Sequence, residues 1–277
     1  MSCSQYTNLS GYKFVTLSHL TEIKALLLNL CKKNHIKGTI LVAPEGININ
    51  LSGADDHVKA LLDSFAEISW LEGLSLKKTF SDYIPFNRML VRLKKEIIAF
   101  DQKGIDPKSN PAPYIEPEEL KKWYDQNKDF IILDTRNDYE VKIGTFKNAL
   151  NPDLKTFKKF TETIQSLPPE ARELPVVTFC TGGVRCEKAA PFLKKEGFKK
   201  VYQLDGGIIN YFQKVGKEHY EGDCFVFDKR LAITPDCKPN GMVQCYRCRS
   251  PLTDQERQSQ HYKPNISCPN CINRVAS

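Results

Sequence analysis

Cys180 and Arg185 enclose Thr181-Gly182-Gly183-Val184, a tight loop with two glycines. A loop of this kind directs successive backbone N–H groups at its own centre, next to the positive end of the helix that follows. A thiol held in such a ring is expected to have a depressed pKa and to exist largely as an accessible thiolate. Cys180 is thus placed as a nucleophile, or as the carrier of a negatively charged group. Arg185 would pin the loop and balance its charge, and the glycines let the backbone turn freely. Cys186 opens the following helix. It reads equally as a second thiol acidified by the helix end, able to resolve an oxidised Cys180, or as a small helix-start residue. A buried, inert cysteine would need neither the glycines nor the arginine.

A second cluster lies in the tail. Cys245 and Cys248 form one C-x2-C turn, Cys268 and Cys271 another, with nineteen residues between the turns. Two such turns supply the four thiolates of a closed tetrahedral zinc site, which predicts a structural metal. A segment this small has too little core to fold without such a staple. His261 is not needed as a ligand, and Cys224 and Cys237 have no comparable spacing.

The elements that must position the loop follow from periodicity. Pro175–Phe179 is apolar and β-branched, the pattern of a buried strand, and Glu187–Lys195 has helical spacing. Further strands are expected at Phe130–Leu133, near Asn148–Leu150 and at Lys200–Gln203, with helical stretches between them. One helix starts near Glu116-Pro117, with proline in the first turn and acids at its positive end. That alternation predicts a doubly wound parallel sheet over 114–220. Cys180 then sits beyond the carboxyl end of a strand, where such sheets bind ligands.

Residues 1–101 read as a separate α+β unit. Strands are expected at Tyr12–Thr16, Gly38–Ala43, Ile47–Leu51 and Arg88–Leu93. Helices are expected at His19–Lys33, capped by Ser18 or Thr21, and at Asp55–Phe65. The order β-α-β-β-α-β is ferredoxin-like, as in acylphosphatases. Lys77–Arg88 mixes basic and aromatic residues, which suits either nucleobase stacking or packing on the next domain. Residues 102–113, rich in proline, form a linker, and 221–277 form the Cys-rich zinc-binding tail.

The 277 residues suit two or three domains, and 41% hydrophobic content suits real cores. No stretch is apolar enough for a membrane span, and the start of the chain is polar. Ten cysteines without a signal peptide predict thiol and metal chemistry in a reducing cytoplasm. The net charge of +7 is spread evenly, with no basic arm. Neither a dinucleotide fingerprint nor a pair of histidines with a carboxylate is present, so no organic cofactor is evident.

The Cys180–Arg185 loop resembles that of the rhodanese family, whose tight ring suits the terminal sulfur of a persulfide. The resembling loop of protein tyrosine phosphatases is longer and fits phosphate. Phe130–Arg136, ending in Asp134-Thr135-Arg136, and Asp205-Gly206-Gly207-Ile208 resemble other rhodanese segments. The runs Asp134–Ala149, Cys180–Ala189 and Glu221–Asp228 are more closely similar to a bacterial family of rhodanese-containing tRNA uridine hydroxylases, and that resemblance covers nearly the whole chain. It implies hydroxylation of the wobble uridine of tRNA to 5-hydroxyuridine, with molecular oxygen as co-substrate and Cys180 essential. After Ala43–Asn48 the family has Gly-Thr where this chain has Ile49-Asn50. The competing readings are a plain sulfurtransferase working through a Cys180 persulfide, and a non-catalytic RNA-binding protein.

Overall fold

The computed structural model describes residues 5–165, 167–248 and 250–272. The first unit consists of β1 (Tyr6–Phe14), α1 (Leu20–Lys33), β2 (Lys37–Ala43), β3 (Gly46–Ala54), α2 (Asp55–Ala66), β4 (Ser75–Ser81) and β5 (Met89–Leu93). Its sheet runs β4-β1-β3-β2-β5. The first four neighbours are antiparallel, which is the ferredoxin-like order, and β5 is added parallel to β2 at the edge. The strand expected to close the ferredoxin-like unit, Arg88–Leu93, is therefore an appended fifth strand. The closing strand is β4. One of its faces is polar throughout (Ser75, Lys77, Thr79, Ser81) and the other interrupts Leu76 and Phe80 with Lys78, so no apolar face marks it as a strand.

Two local expectations fail. β1 begins at Tyr6, six residues before the expected Tyr12. Neither Ser18 nor Thr21 caps α1: its N-cap is His19, in a left-handed conformation, with no side-chain cap.

Alternation along each strand divides the sheet into two faces. Leu9, Ile40, Val42, Ile47, Ile49 and Leu51 pack with Leu27, Val58, Leu61 and Phe65 of the two helices. The opposite face carries polar side chains, among them Ser10 and Tyr12 of β1 and Asn48 and Asn50 of β3. It does not face solvent. It faces the second unit.

The second unit contains β6 (Tyr114–Ile115), α3 (Pro117–Asp125), β7 (Ile131–Asp134), α4 (Asp138–Val141), β8 (Gly144–Phe146), α5 (Phe160–Gln165), β9 (Pro175–Phe179), α6 (Cys186–Lys195), β10 (Lys200–Leu204) and α7 (Gly207–Lys214). The strands β6-β10-β9-β7 form an all-parallel sheet. Leu150, expected within a strand, makes only an isolated bridge to Leu133. Successive residues of β9 enter different cores, as burial on both faces requires. Val176 packs with Phe160, Ala190 and Leu193, whereas Val177 and Phe179 pack with Leu120, Ile208 and Phe212.

After α7, β11 (Tyr220–Gly222) pairs with β8, and β12 (Cys224–Phe225) pairs with β13 (Ala232–Ile233). Cys224, Val226 and Ile233 belong to the core of the second unit. The Cys-rich part proper comprises β14 (Val243–Gln244), β15 (Pro251–Leu252), α8 (Asp254–Gln258) and the turn around Cys268. The basic-aromatic run packs on neighbouring elements: Thr79 accepts from Arg230, and the Pro85 carbonyl accepts from the Lys229 amide. Among the described residues no helix is long and apolar enough to cross a membrane.

Candidate active site

The loop 180–185 leaves β9 and enters α6, where the sequence puts it. Gly183 has φ 101°, a conformation open to glycine, and its amide donates to Cys180 Sγ at 3.1 Å. Gly182 needs no such freedom, and a methyl group there would meet empty space. Gly207 is a second glycine that the loop requires. It has φ 66°, and a Cβ would lie 2.4 Å from the Cys180 carbonyl. The first amides of α7 close the loop from below: Ile208 N donates to the Cys180 carbonyl at 3.0 Å and Ile209 N to the Thr181 carbonyl at 3.1 Å. Thr181 Oγ1 donates to the Phe225 carbonyl, so the post-α7 segment also holds the loop. Val184 lines the same cavity as Cys180.

Burial alone pushes the Cys180 thiol up. The hydrogen bond from Cys186, the Arg185 charge and the amides of Arg185 and Gly183 outweigh it and bring the thiol down to about 6. Cys186 moves the other way. Burial, and then the hydrogen bond and charge of Cys180, push its thiol far up. The expectation that the helix end acidifies Cys186 is thus corrected, because one negative sulfur beside it suppresses a second. Cys186 is a protonated donor, with its sulfur 3.9 Å from Thr135 Oγ1.

Arg185 is buried and forms a bidentate pair with Glu140, at 2.6 and 2.7 Å. Burial lowers the guanidinium's affinity for its proton, but the Glu140 carboxylate more than offsets that. Glu140 also accepts from the Asn137 amide at 3.0 Å. Beside this pair, Arg136 lies fully buried on Asp134 at 2.7 Å and donates to the Gly144 carbonyl at 2.7 Å.

The polar sheet face of the first unit covers the loop. Tyr12 reaches over Gly183, and its hydroxyl donates to Glu187 Oε1 at 2.8 Å, beside a second donor, Tyr114, at 2.7 Å. Burial and the Glu187 charge push the Tyr12 phenol far up, so it stays a donor. Lys188 of α6 is 2% exposed and bridges Glu45 at 2.9 Å, Glu96 at 2.6 Å and the Ile98 carbonyl at 3.1 Å. The sequence reading expected an accessible Cys180. The residue has no exposed surface of its own: Tyr12 of the first unit lies over the adjacent Gly183, and Gly207 packs on its carbonyl.

Between sheet face and loop a cavity of about 620 Å³ remains, within the range of small-molecule sites. Cys180, Thr181, Gly182 and Arg185 line one side, and Ser10, Asn48 and Asn50 the other. Lys94 and Lys158 stand at its border, and Phe227, 54% exposed, lies against Arg185 with the guanidinium 5.8 Å from its ring centre. The arrangement presents an anionic sulfur to a ligand enclosed on one side by side-chain amides.

The four tail cysteines come together. Their sulfurs all lie within 4.8 Å of one another, with Cys245–Cys271 at 3.9 Å, Cys248–Cys268 at 3.6 Å and Cys268–Cys271 at 3.7 Å. A tetrahedron with metal–sulfur bonds of about 2.3 Å has sulfurs about 3.8 Å apart, so the donor set fits a thiolate-bound metal.

Sequence reasoning missed Glu140, Tyr12, Lys188 and the asparagines. Glu140 and Arg185 are 45 residues apart, Tyr12 and Glu187 are 175 apart, and no local pattern joins them. Asn48 and Asn50 did carry a signal. Alternating with Ile47 and Ile49, they had to share the face opposite the core.

Comparison with known proteins agrees with both units. The model of the UPF0176 acylphosphatase like domain matches residues 6–97, and that of the Rhodanese-like domain matches 116–214. A tRNA uridine(34) hydroxylase of Cupriavidus necator is 44% identical, covering 97% of each chain. Proteins of the same name from Cupriavidus pinatubonensis and Ralstonia nicotianae are each 43% identical, covering 98% of each chain. With that identity along nearly its full length, and with both units and the cysteine loop in place, the chain belongs to the tRNA uridine(34) hydroxylase family.

Proposed function

We propose that this chain is an oxidoreductase that converts the wobble uridine of tRNA to 5-hydroxyuridine, with Cys180 as nucleophile and dioxygen as oxidant. What supports this reading is a cavity with room for a base, lined by Cys180 with the Gly183 amide on its sulfur, in a chain that matches hydroxylases over nearly its full length.

Uracil is electrophilic at C6. Addition of the Cys180 sulfur there forms an S–C6 bond, and the C5=C6 pair shifts through C4 onto O4. C5 becomes electron-rich and bonds to oxygen. Loss of the C5 proton and departure of the thiolate restore the double bond. Overall, one atom of dioxygen enters the C5 hydroxyl and the other leaves as water, taking two electrons and two protons from an external reductant. Cys186 donates to the Cys180 sulfur, and Arg185 with Glu140 fixes the loop. Phe227 offers a stacking face for a neighbouring base, and Lys94 and Lys158 offer charges for phosphates. A cytoplasmic site of action follows from the tRNA substrate.

Plain sulfur transfer would use the same loop but gives the enclosing sheet face no role. A non-catalytic protein would have no need of the lowered thiol. Purified full-length chain, incubated with unmodified tRNA with and without oxygen, separates the three. Oxygen-dependent 5-hydroxyuridine by mass spectrometry supports the proposal, a thiolated nucleoside supports sulfur transfer, and unchanged tRNA overturns both.

The tail holds one structural zinc on Cys245, Cys248, Cys268 and Cys271. Metal analysis should give one zinc per chain. Cys268→Ser should lose it and open 243–272 to proteolysis; a metal-free protein with a protease-resistant tail would contradict the assignment.

A further inference from the structure

The polar sheet face that walls the cavity runs on past the part that the second unit covers. Tyr12, Asn48, Leu41 and Arg92 stand side by side across β1, β3, β2 and β5. The first three line the cavity, and Arg92 is exposed. A parallel row on the same face runs from Asn8 through Ser52 to Lys37. The pairing of β5 with β2 continues beyond both ends of the strand. The Gly38 amide donates to the Arg88 carbonyl at 3.2 Å, and the Lys94 amide to the Val42 carbonyl at 2.8 Å. Arg88, Arg92 and Lys94 therefore alternate onto one face, with Arg88 beside Lys37. Lys94 itself lines the cavity. All four cations are exposed, and none makes a side-chain hydrogen bond or ion pair among the described residues. Neither β2 nor β5 contains an acidic residue.

From this arrangement we infer that Lys37, Arg88, Arg92 and Lys94 bind the phosphates of the tRNA strand that brings the wobble nucleotide to the cavity. The inference rests on the tRNA reading above and names the surface that holds that partner. Cations with no carboxylate beside them are available to a polyanion, and each phosphate they neutralise releases counterions. Residues two apart on a strand are about 6.7 Å apart, a step comparable to that between successive phosphates of a nucleotide chain. Arg92 and Lys94 thus suit neighbouring phosphates. A backbone leaving the cavity meets Lys94 first, and Arg88 with Lys37 continues the line away from it. The pairing of β2 with β5 gathers cations that are scattered in sequence, so an evenly spread net charge conceals the row. Charges also guard an edge strand such as β5 against pairing with another chain. That role asks for no affinity for RNA.

The test measures the affinity of full-length chain for anticodon stem-loop RNA across a salt series, with Cys180→Ala in every protein so that bound RNA is not consumed. Lys37→Gln, Arg88→Gln and Arg92→Gln together should weaken binding about tenfold or more and reduce the slope of log affinity against log salt by about two to three. Lys37→Arg, Arg88→Lys and Arg92→Lys together keep the charges and should bind within about twofold of the unaltered face. Lys195, Lys200 and Lys217 are exposed cations at the other end of the parallel sheet, away from the cysteine loop. Changing these three to Gln removes the same charge and should weaken binding less than about threefold. Thermal melting identifies any variant that is not folded. Unchanged affinity in the folded triple variant overturns the inference and leaves the cations as guards of the edge. An equal loss in the control triple overturns it as well, since net charge alone would then account for binding. So does an unaltered face that binds phosphatidylserine vesicles and not RNA, which would assign it to a membrane surface. None of these results touches the hydroxylation assay. Absence of 5-hydroxyuridine in that assay removes the tRNA reading itself, and this inference with it.

Discussion

Cys180→Ala should abolish 5-hydroxyuridine formation, by roughly a thousandfold or more, while the protein stays folded. Losses of that order follow when the nucleophile of a covalent mechanism is removed. The fold should tolerate the change. The alanine fits the space of the buried cysteine, and the loop remains tied through the Ile208 and Ile209 amides, which donate to backbone carbonyls and not to sulfur. The variant loses the acceptor of the Gly183 amide, a cost of about 1 kcal/mol. Undiminished product from a folded Cys180→Ala protein would refute both the addition to C6 and any route through an oxidised Cys180.

Glu140→Ala should be the most destabilising single change at the site, by about 3–5 kcal/mol in denaturant unfolding. Glu140 and Arg185 are both buried, and the carboxylate satisfies the guanidinium with two short bonds. Its removal strands a charge inside the protein and also frees the Asn137 amide. Glu140→Gln, which keeps the shape and loses the charge, should fall between wild type and Glu140→Ala. A loss below about 1 kcal/mol would show that Arg185 has another partner at hand and that the loop does not depend on this pair.

The sequence revealed whatever is local. The loop is a continuous run between strand and helix, so its chemistry could be read from Cys180, two glycines and Arg185 alone. The zinc-type cluster is likewise set by spacing, and the sulfurs lie where that spacing demands. What was illegible depends on distant partners. Arg88–Leu93 is recognisable as a strand, but its place at the sheet edge is fixed by pairing with β2, not by its own residues. Cys186 shares the helix start that acidifies thiols, yet its neighbour's charge decides its state. The loop of Cys180 reads as exposed in sequence, but the residue is buried where the two units meet, with Tyr12 and Lys188 joining them. The walls of the cavity are therefore a product of the tertiary fold, whereas its reactive floor is a product of the primary sequence.

The state of the Cys180 sulfur is the claim on which the rest stands. Thiolate absorbance near 240 nm, taken as the difference between wild type and Cys180→Ala across a pH series, measures it directly. The lowered thiol should lose its proton as pH rises through about 6, so the thiolate signal is complete at neutral pH and disappears in acid below that value. A midpoint at the ordinary thiol value of about 8.5 would mean that the amides and Arg185 do not hold an anion, and the nucleophilic role of Cys180 would fall with it.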